Sequence, residues 1–169
     1  MKQLLLMRHA KSEWNIHDGN DLDRNISKIG IEKTKRIGEF IGQKKIIIDK
    51  ILCSPSLRTR KTKDLLIKYL NPKPKVVMKT DLYHEAGCKI FDIVLNERNS
   101  NVLFVISHEP LLSSSVFDFS EEYDNKYFRN ATSEFSTSSI IFFKFDVERW
   151  SQINKKNSKL IFFLRPNDI

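Results

Sequence analysis

Two histidines occupy matching positions in the chain, each directly after an apolar run. Arg8-His9 follows residues 4–7, and Ser107-His108 follows residues 102–106. A short apolar run that ends in polar residues is typical of a buried parallel strand, and ligands bind at the carboxyl ends of such strands. Neutral imidazole is a good nucleophile toward phosphorus, and guanidinium forms paired hydrogen bonds with phosphate. The pattern therefore predicts one anion-handling site that both histidines share.

A third segment adds another cationic side chain to this predicted site. Residues 50–53 are expected to form a short strand, and Ser54-Pro55 follows as a helix cap with proline at the first helical position. The N-terminus of a helix attracts anions through its free N–H groups and its dipole. Arg58 lies in the first turn of the predicted helix, so we expect it to join Arg8, His9 and His108 around a phosphoryl group.

The elements that must position these residues follow an alternating pattern. Strands are predicted at 2–7, 50–53, 75–78 and 101–106, and helices from the cap Ser27 to about 42, over 56–70, near 89–97 and after Pro110. Residues 140–145 and 160–164 are expected to add a hairpin or edge strands, whereas the polar segment 118–130 is expected to be mobile. The alternation predicts an α/β three-layer sandwich with a mostly parallel central sheet flanked by helices.

Length and composition limit the class of protein. The chain has 169 residues, a net charge of +8 and 40% hydrophobic residues, which is typical of one globular domain, so residues 1–169 are interpreted as a single domain. Neither a membrane-spanning run nor a signal peptide is recognised, so a cytoplasmic protein is expected.

Cys53 and Cys88 lack metal-binding spacing and are interpreted as packing residues. The basic charge favours an anionic partner and fits nucleic acid, phosphoprotein or phosphorylated metabolites equally.

Four ordered motifs resemble those of a known family. Residues 8–15, Arg-His-Ala-Lys-Ser-Glu-Trp-Asn, resemble the signature Arg-His-Gly-x-Ser-x-x-Asn, and residues 23–30 resemble Asp-x-x-Leu-Ser/Thr-x-x-Gly. Residues 54–62 resemble Ser-Pro-x-x-Arg-x-x-x-Thr, and residues 107–110 resemble Gly-His-Glu/Asn-Pro. On these motifs the chain is identified as a member of the histidine phosphatase superfamily, with a phosphoglycerate mutase-like fold, and it is most similar to the small SixA-type phosphohistidine phosphatases.

The resemblance implies a role for each matching residue. His9 would be the nucleophile that becomes phosphohistidine, while Arg8, Arg58 and His108 would hold the phosphoryl oxygens. Ser12 and Asn15 would lie at the rim of the pocket as substrate contacts. Neither a metal nor another cofactor is implied.

The chain departs from the family pattern at several positions. Ala10 and Ser107 each replace a glycine, and the hydroxyl of Ser107 can either join the phosphate network as a substrate contact or face the neighbouring strands. Other branches keep a carboxylate after Leu82 as general acid, and Glu85, beside His84, is the candidate here, with a solvated loop as the alternative. Phosphohistidine carries a good leaving group, so a missing acid would still be compatible with that substrate.

Three functions remain open from the sequence. The leading hypothesis is a phosphohydrolase that acts on a phosphohistidine-containing protein, because the short connection between Leu70 and Leu82 predicts an open site. The second is a phosphoester phosphatase that acts on small phosphorylated metabolites. The third is a non-catalytic, basic module that binds phosphate or nucleic acid, although no obligatory nucleic-acid or membrane partner is expected. A serine hydrolase is disfavoured because the chain lacks a Gly-x-Ser-x-Gly turn.

Overall fold

A single six-stranded sheet forms the centre of the computed structural model, which describes residues 1–14, 19–83 and 86–169. The strands are β1 (Lys2–Arg8), β2 (Lys50–Cys53), β3 (Lys75–Met78), β4 (Val102–Ser107), β5 (Ile140–Phe145) and β6 (Ser158–Leu164). Their order across the sheet is β3-β2-β4-β1-β5-β6. Neighbours among β1 to β4 are parallel, whereas β5 pairs antiparallel with β1 and β6 pairs antiparallel with β5. The predicted mostly parallel sheet with two added strands is confirmed.

Helices cover both faces of this sheet. They are α1 (Lys28–Gln43), α2 (Leu57–Ile67), α3 (Ile90–Leu95), α4 (Leu111–Phe119) and α5 (Lys126–Ser133). Alternate residues of β1 point to opposite faces, so Leu5 and Met7 pack in the core that contains α1 and α2, while Leu4 and Leu6 pack in the core that contains α3, α4 and α5. Burial on both faces explains why residues 4–7 of β1 are all apolar, and the predicted three layers are confirmed.

Two helix starts differ in how closely they match the predictions. Ser27 caps α1 as predicted, because its hydroxyl accepts a hydrogen bond from the backbone N–H of Gly30 at 3.1 Å. The prediction that α2 starts at Ser56 and continues to 70 was wrong at both ends, since the helix spans Leu57–Ile67. Its cap is Ser56, whose hydroxyl accepts from the N–H of Thr59 at 3.3 Å, so Ser54 is released for another contact described below.

The segment between β4 and β5 was the least well predicted part of the chain. The polar segment 118–130, which was expected to be mobile, contains regular structure, because α4 extends to Phe119 and α5 begins at Lys126. Asn125 caps α5 by accepting from the N–H of Tyr127 at 2.9 Å. Phe128 and Ala131, spaced as one face of a helix, are buried. That cap and spacing were the available signal, but the surrounding polar residues obscured it.

In the described part of the chain, no helix is both long enough and apolar enough to span a lipid bilayer.

Candidate active site

The predicted site residues leave the sheet at one edge because three parallel strands end side by side. Arg8 at the end of β1 pairs with Ser107 at the end of β4, and Cys53 at the end of β2 pairs with Ile106. The backbone N–H of His9 donates to the carbonyl of Ser107 at 3.1 Å. The residues that follow each strand, including His9 and His108, therefore meet at the carboxyl edge of the sheet, as predicted.

His9 is held with one ring nitrogen directed away from the backbone. Its Nδ1 lies 2.7 Å from the carbonyl of Ala10, and because a carbonyl only accepts, Nδ1 carries the proton and Nε2 carries the lone pair. The Nε–H of Arg58 donates to this Nε2 at 3.3 Å. Burial, together with the nearby charges of Arg58 and Arg8, lowers the pKa of His9 from 6.5 to about 3. At neutral pH the imidazole is therefore uncharged, which is the form a nucleophile requires.

Arg58 lies between the two histidines, in the first turn of α2. Its side chain is buried, and its Nη2 donates to Nδ1 of His108 at 3.2 Å. Since Arg58 only donates, Nδ1 of His108 accepts, and Nε2 carries the proton that is donated to Oγ of Ser54 at 2.7 Å. Ser54, which the sequence predicted as the cap of α2, therefore orients His108 instead.

Arg8 contributes a donor that is not satisfied by the protein. Its Nη1 donates to the carbonyl of Phe135 at 3.0 Å, whereas its buried Nε has no hydrogen-bond partner among the described residues. Burial lowers the pKa of Arg8, although guanidinium remains charged at neutral pH. A buried donor without a partner is unfavourable, and the Arg8 side chain lines the cavity that His9 and Arg58 share.

These side chains surround a cavity of about 310 Å³. Cationic groups outnumber anionic ones in its lining, so the cavity suits an anionic ligand. The lining residues are Arg8, His9, Lys11, Ser12, Trp14, Asp21, Arg24, Arg58, His108, Glu109 and Thr137.

Thr62 links the nucleophile segment to α2. Its hydroxyl accepts from the backbone N–H of Ala10 at 2.9 Å and donates to the carbonyl of Arg58 at 2.7 Å. The spacing of Arg58 and Thr62 in the sequence motif thus has a structural explanation, because one residue reaches the cavity while the other fixes the backbone next to His9.

Three residues of the site, Asp21, Arg24 and Tyr83, were not predicted from the sequence. The carboxylate Oδ2 of Asp21 accepts from Tyr83 Oη at 2.6 Å and from Arg58 Nη2 at 2.8 Å, while Oδ1 accepts from Arg24 Nη1 at 3.0 Å. Burial raises the pKa of Asp21, but the hydrogen bonds from Tyr83, Arg58 and Arg24 outweigh burial and lower it well below its usual value. The signal for Asp21 and Arg24 was their charge, since Asp21 lies just before the motif at 23–30 and Arg24 lies within it.

The substrate-contact residues predicted from the sequence have different outcomes. Ser12 lines the cavity, where its Oγ accepts from Arg24 Nη2 at 2.5 Å. Ser107 requires a correction, because its buried hydroxyl donates to the carbonyl of Leu82 at 2.7 Å and is not part of the cavity lining. Asn15 and the candidate acid Glu85 lie outside the described residues.

A metal centre is not evident in this arrangement. Within 1–14, 19–83 and 86–169, no group of three or more His, Cys, Asp or Glu side chains is placed to hold a metal ion.

Comparison with known proteins places the chain beside phosphatases of one fold. Residues 4–83 match the family model of the histidine phosphatase superfamily, branch 1. A comparison with curated protein sequences found no match. Among solved structures, one assigned as the phosphohistidine phosphatase SixA from Nakamurella multipartitia superimposes with a TM-score of 0.81 at 18% identity, over 98% of this chain and 96% of that chain.

Two further structures give similar values. One assigned as the phosphohistidine phosphatase SixA from Agrobacterium tumefaciens has a TM-score of 0.78 at 20% identity, with 98% of each chain covered. The protein histidine phosphatase SixA complexed with tungstate has a TM-score of 0.77 at 20% identity, again with 98% of each chain covered. At these identities the similarity establishes the fold, and the predicted phosphoglycerate mutase-like α/β architecture is confirmed.

Proposed function

We propose that this chain, whose residues 4–83 match the family model of the histidine phosphatase superfamily, is a phosphatase that forms a phosphohistidine intermediate on His9 and acts on a phosphohistidine-containing protein. The observation that carries the proposal is the state of His9 itself. Its Nδ1–H is held by the carbonyl of Ala10, so the lone pair of Nε2 lies toward Arg58 in a cationic cavity. A neutral, oriented nucleophile next to oxyanion-binding groups is what phosphoryl transfer requires.

The reaction we propose has two displacement steps at phosphorus. In the first, Nε2 of His9 forms a bond to phosphorus while the bond from phosphorus to the leaving group breaks, and the leaving group keeps the electron pair and takes a proton. In the second, water attacks phosphorus, the bond to Nε2 breaks and inorganic phosphate leaves. His9 returns to its neutral form and the proton from water goes to solvent.

The surrounding groups have complementary roles in this proposal. The guanidinium of Arg8, which lines the cavity, donates to a phosphoryl oxygen. Arg58 moves its hydrogen bond from His9 to the phosphoryl group, which frees Nε2 for attack. Ser54 holds Nε2–H of His108, so His108 contacts a further oxygen through Nδ1, which takes up a proton when Arg58 turns from it to the phosphoryl group and then donates to that oxygen. Charge neutralisation on these oxygens lowers the barrier.

The preference for phosphohistidine rests on the leaving group. Asp21 and Glu109 are the carboxylates in the described cavity lining, and the depressed pKa of Asp21 makes it a poor proton donor. An imidazole leaving group requires little protonation, whereas an alkoxide requires much more. Glu85 remains our candidate donor for substrates that need one.

A protein substrate agrees with the access to the cavity. The connection from α2, which ends at Ile67, to β3, which begins at Lys75, is short, and we propose that it leaves space for a side chain presented by another protein. We propose a cytoplasmic setting and one domain over residues 1–169, and the free thiols of Cys53 and Cys88 are compatible with a reducing compartment.

The test combines substrate rates with trapping of the intermediate. Wild-type protein should hydrolyse a phosphohistidine protein faster than sugar phosphates, and acid-labile radiolabel should be trapped on wild type but not on His9→Ala. Arg58→Ala should lower kcat/KM by at least about a hundredfold, whereas Arg60→Ala, at an exposed position two residues further along α2, should stay near wild type.

The other outcomes separate the remaining functions. Full activity of His9→Ala would refute the proposal. Faster hydrolysis of sugar phosphates would favour the small-phosphoester phosphatase. Absence of phosphatase activity together with tight, steeply salt-dependent binding of nucleic acid would favour the binding module.

A further inference from the structure

We propose that Trp14 determines substrate specificity by stacking on the flat ring of the leaving group, the imidazole of a phosphohistidine side chain. The inference rests on the proposed function and extends it from the phosphoryl group to the group that carries it. Trp14 does not participate in the phosphoryl transfer itself.

The first observation is the exposure of Trp14 at the reacting cavity. Its side chain is 80% exposed, whereas the other tryptophan of the chain, Trp150, is 1% exposed. Trp14 lines the same cavity as His9, Arg58 and His108. A large aromatic side chain left in water loses the benefit of burial, so its position beside a buried nucleophile requires an explanation.

The second observation is that the indole is held in place despite its exposure. The guanidinium of Arg24 lies over the indole, with its carbon 3.8 Å from the ring centroid. Arg24 is itself held by hydrogen bonds to Asp21 Oδ1 at 3.0 Å, Ser12 Oγ at 2.5 Å and the carbonyl of Glu13 at 3.3 Å. A cation stacked on one side of the ring and fixed by three acceptors orients the indole in advance of binding.

The geometry of displacement directs the leaving group toward this ring. Both residues line the cavity, but His9 is 7% exposed and Trp14 is 80% exposed, so we take the nucleophile to lie deeper than the indole. Attack by Nε2 of His9 expels the leaving group on the opposite side of phosphorus, away from the protein interior. An imidazole that leaves in this direction passes the indole, and flat rings stack favourably on tryptophan.

The chemical step is unchanged by this contact. The bond from phosphorus to the imidazole nitrogen of the substrate breaks as the bond to Nε2 of His9 forms. The leaving nitrogen keeps the electron pair and takes a proton from water. Trp14 only positions the ring along this path.

The kinetic test compares two substrates that share the phosphorus–nitrogen bond and differ in the ring. One is a phosphohistidine peptide and the other is phosphoramidate, which has no ring. In Trp14→Ala, the ratio of kcat/KM for the peptide to that for phosphoramidate should fall by about tenfold. Trp14→Phe, which keeps a flat ring, should restore most of that ratio. An unchanged ratio in Trp14→Ala would overturn the proposal.

A matched control removes another exposed apolar side chain. Ile29 is 52% exposed at the start of α1 and does not line the cavity. Ile29→Ala should leave the ratio at the wild-type value, and an equal fall in both variants would overturn the assignment to Trp14.

A binding test separates this inference from the proposed function, because it requires no turnover. Phenylphosphonate should protect Trp14 of the wild-type protein from acrylamide quenching of its fluorescence, whereas methylphosphonate should not. The difference should be absent in Trp14→Phe, which retains only buried Trp150. Equal protection by both compounds would overturn the stacking proposal even in an active phosphatase. Protection by phenylphosphonate alone in an inactive protein would refute the proposed function instead.

Discussion

Arg58 donates hydrogen bonds to two oxygens of Asp21, the backbone carbonyl at 2.6 Å and the carboxylate Oδ2 at 2.8 Å. The same carboxylate is bound by Tyr83 and Arg24, and these contacts lower its pKa well below the usual value even though burial acts in the opposite direction. Asp21 therefore places a permanent negative charge beside the groups that we propose to hold the phosphoryl oxygens. It occupies donors of Arg58 that an incoming phosphoryl group would use.

Removal of this charge should strengthen oxyanion binding. Asp21→Asn keeps the shape of the side chain and removes its repulsion of a bound oxyanion, so the inhibition constant of tungstate at neutral pH should fall by about tenfold. Inhibition of phosphatase activity measures this constant. The control is Asp23→Asn on the same short helical turn, where the carboxylate is bound by Asn20. Weaker tungstate binding in Asp21→Asn would show that Asp21 aligns the arginines rather than competing with the ligand.

The pKa of His9 predicts how stability depends on pH. The imidazole titrates near 6.5 in the unfolded chain, whereas burial lowers its pKa to about 3 in the folded protein. The unfolded state therefore binds more protons between these values, and wild type loses stability as pH falls through this window. His9→Gln cannot titrate, so its urea-unfolding free energy should fall less between about pH 7 and about pH 5. Parallel losses in both proteins would contradict the depressed pKa.

Ser54 should influence catalysis through His108. Its hydroxyl accepts from Nε2 of His108 at 2.7 Å, and loss of one such hydrogen bond is worth about 1 kcal/mol. Ser54→Ala should lower kcat/KM by about fivefold to tenfold and the melting temperature by about 2 to 4 °C. Ser107→Ala is the matched control, because the hydroxyl of Ser107 is also buried but bonds to Leu82. Equal losses of kcat/KM in the two variants would show that Ser54 does not act on catalysis through His108.

Gly30 should tolerate no side chain. A Cβ at this position would lie 2.4 Å from the carbonyl oxygen and 2.9 Å from the nitrogen of Lys11, two residues after the proposed nucleophile. Gly30→Ala should lower the free energy of unfolding by about 1 to 3 kcal/mol and also reduce activity, because the start of α1 must move away from the loop that follows β1. Urea unfolding measures the free energy of unfolding of Gly30→Ala. The control is Lys35→Ala, at an exposed position of the same helix. Equal stability of the two variants would contradict the close packing.

The sequence was most informative where structure follows from local patterns. The continuous apolar run of β1 predicted a strand buried on both faces, and Ser27 predicted the start of α1, because burial periodicity and helix capping involve residues close in the chain. The placement of His9 and His108 at one sheet edge also followed, since parallel strands bring their carboxyl ends together. The resemblance of the motif around Arg58 placed that residue in the same group.

Tertiary structure decided how these residues are connected. Asp21 contacts Arg58 across 37 residues and Tyr83 across 62 residues, and Ser54 proved to orient His108 rather than to cap α2. Such contacts depend on how the loops lie over the sheet edge, and many sequences of similar pattern would place those loops differently. The sequence therefore determined the candidate nucleophile, His9, and its cationic partners. Only the folded chain determined which hydrogen bonds place the proton on Nδ1 of His9 and which carboxylate, that of Asp21, lies beside Arg58.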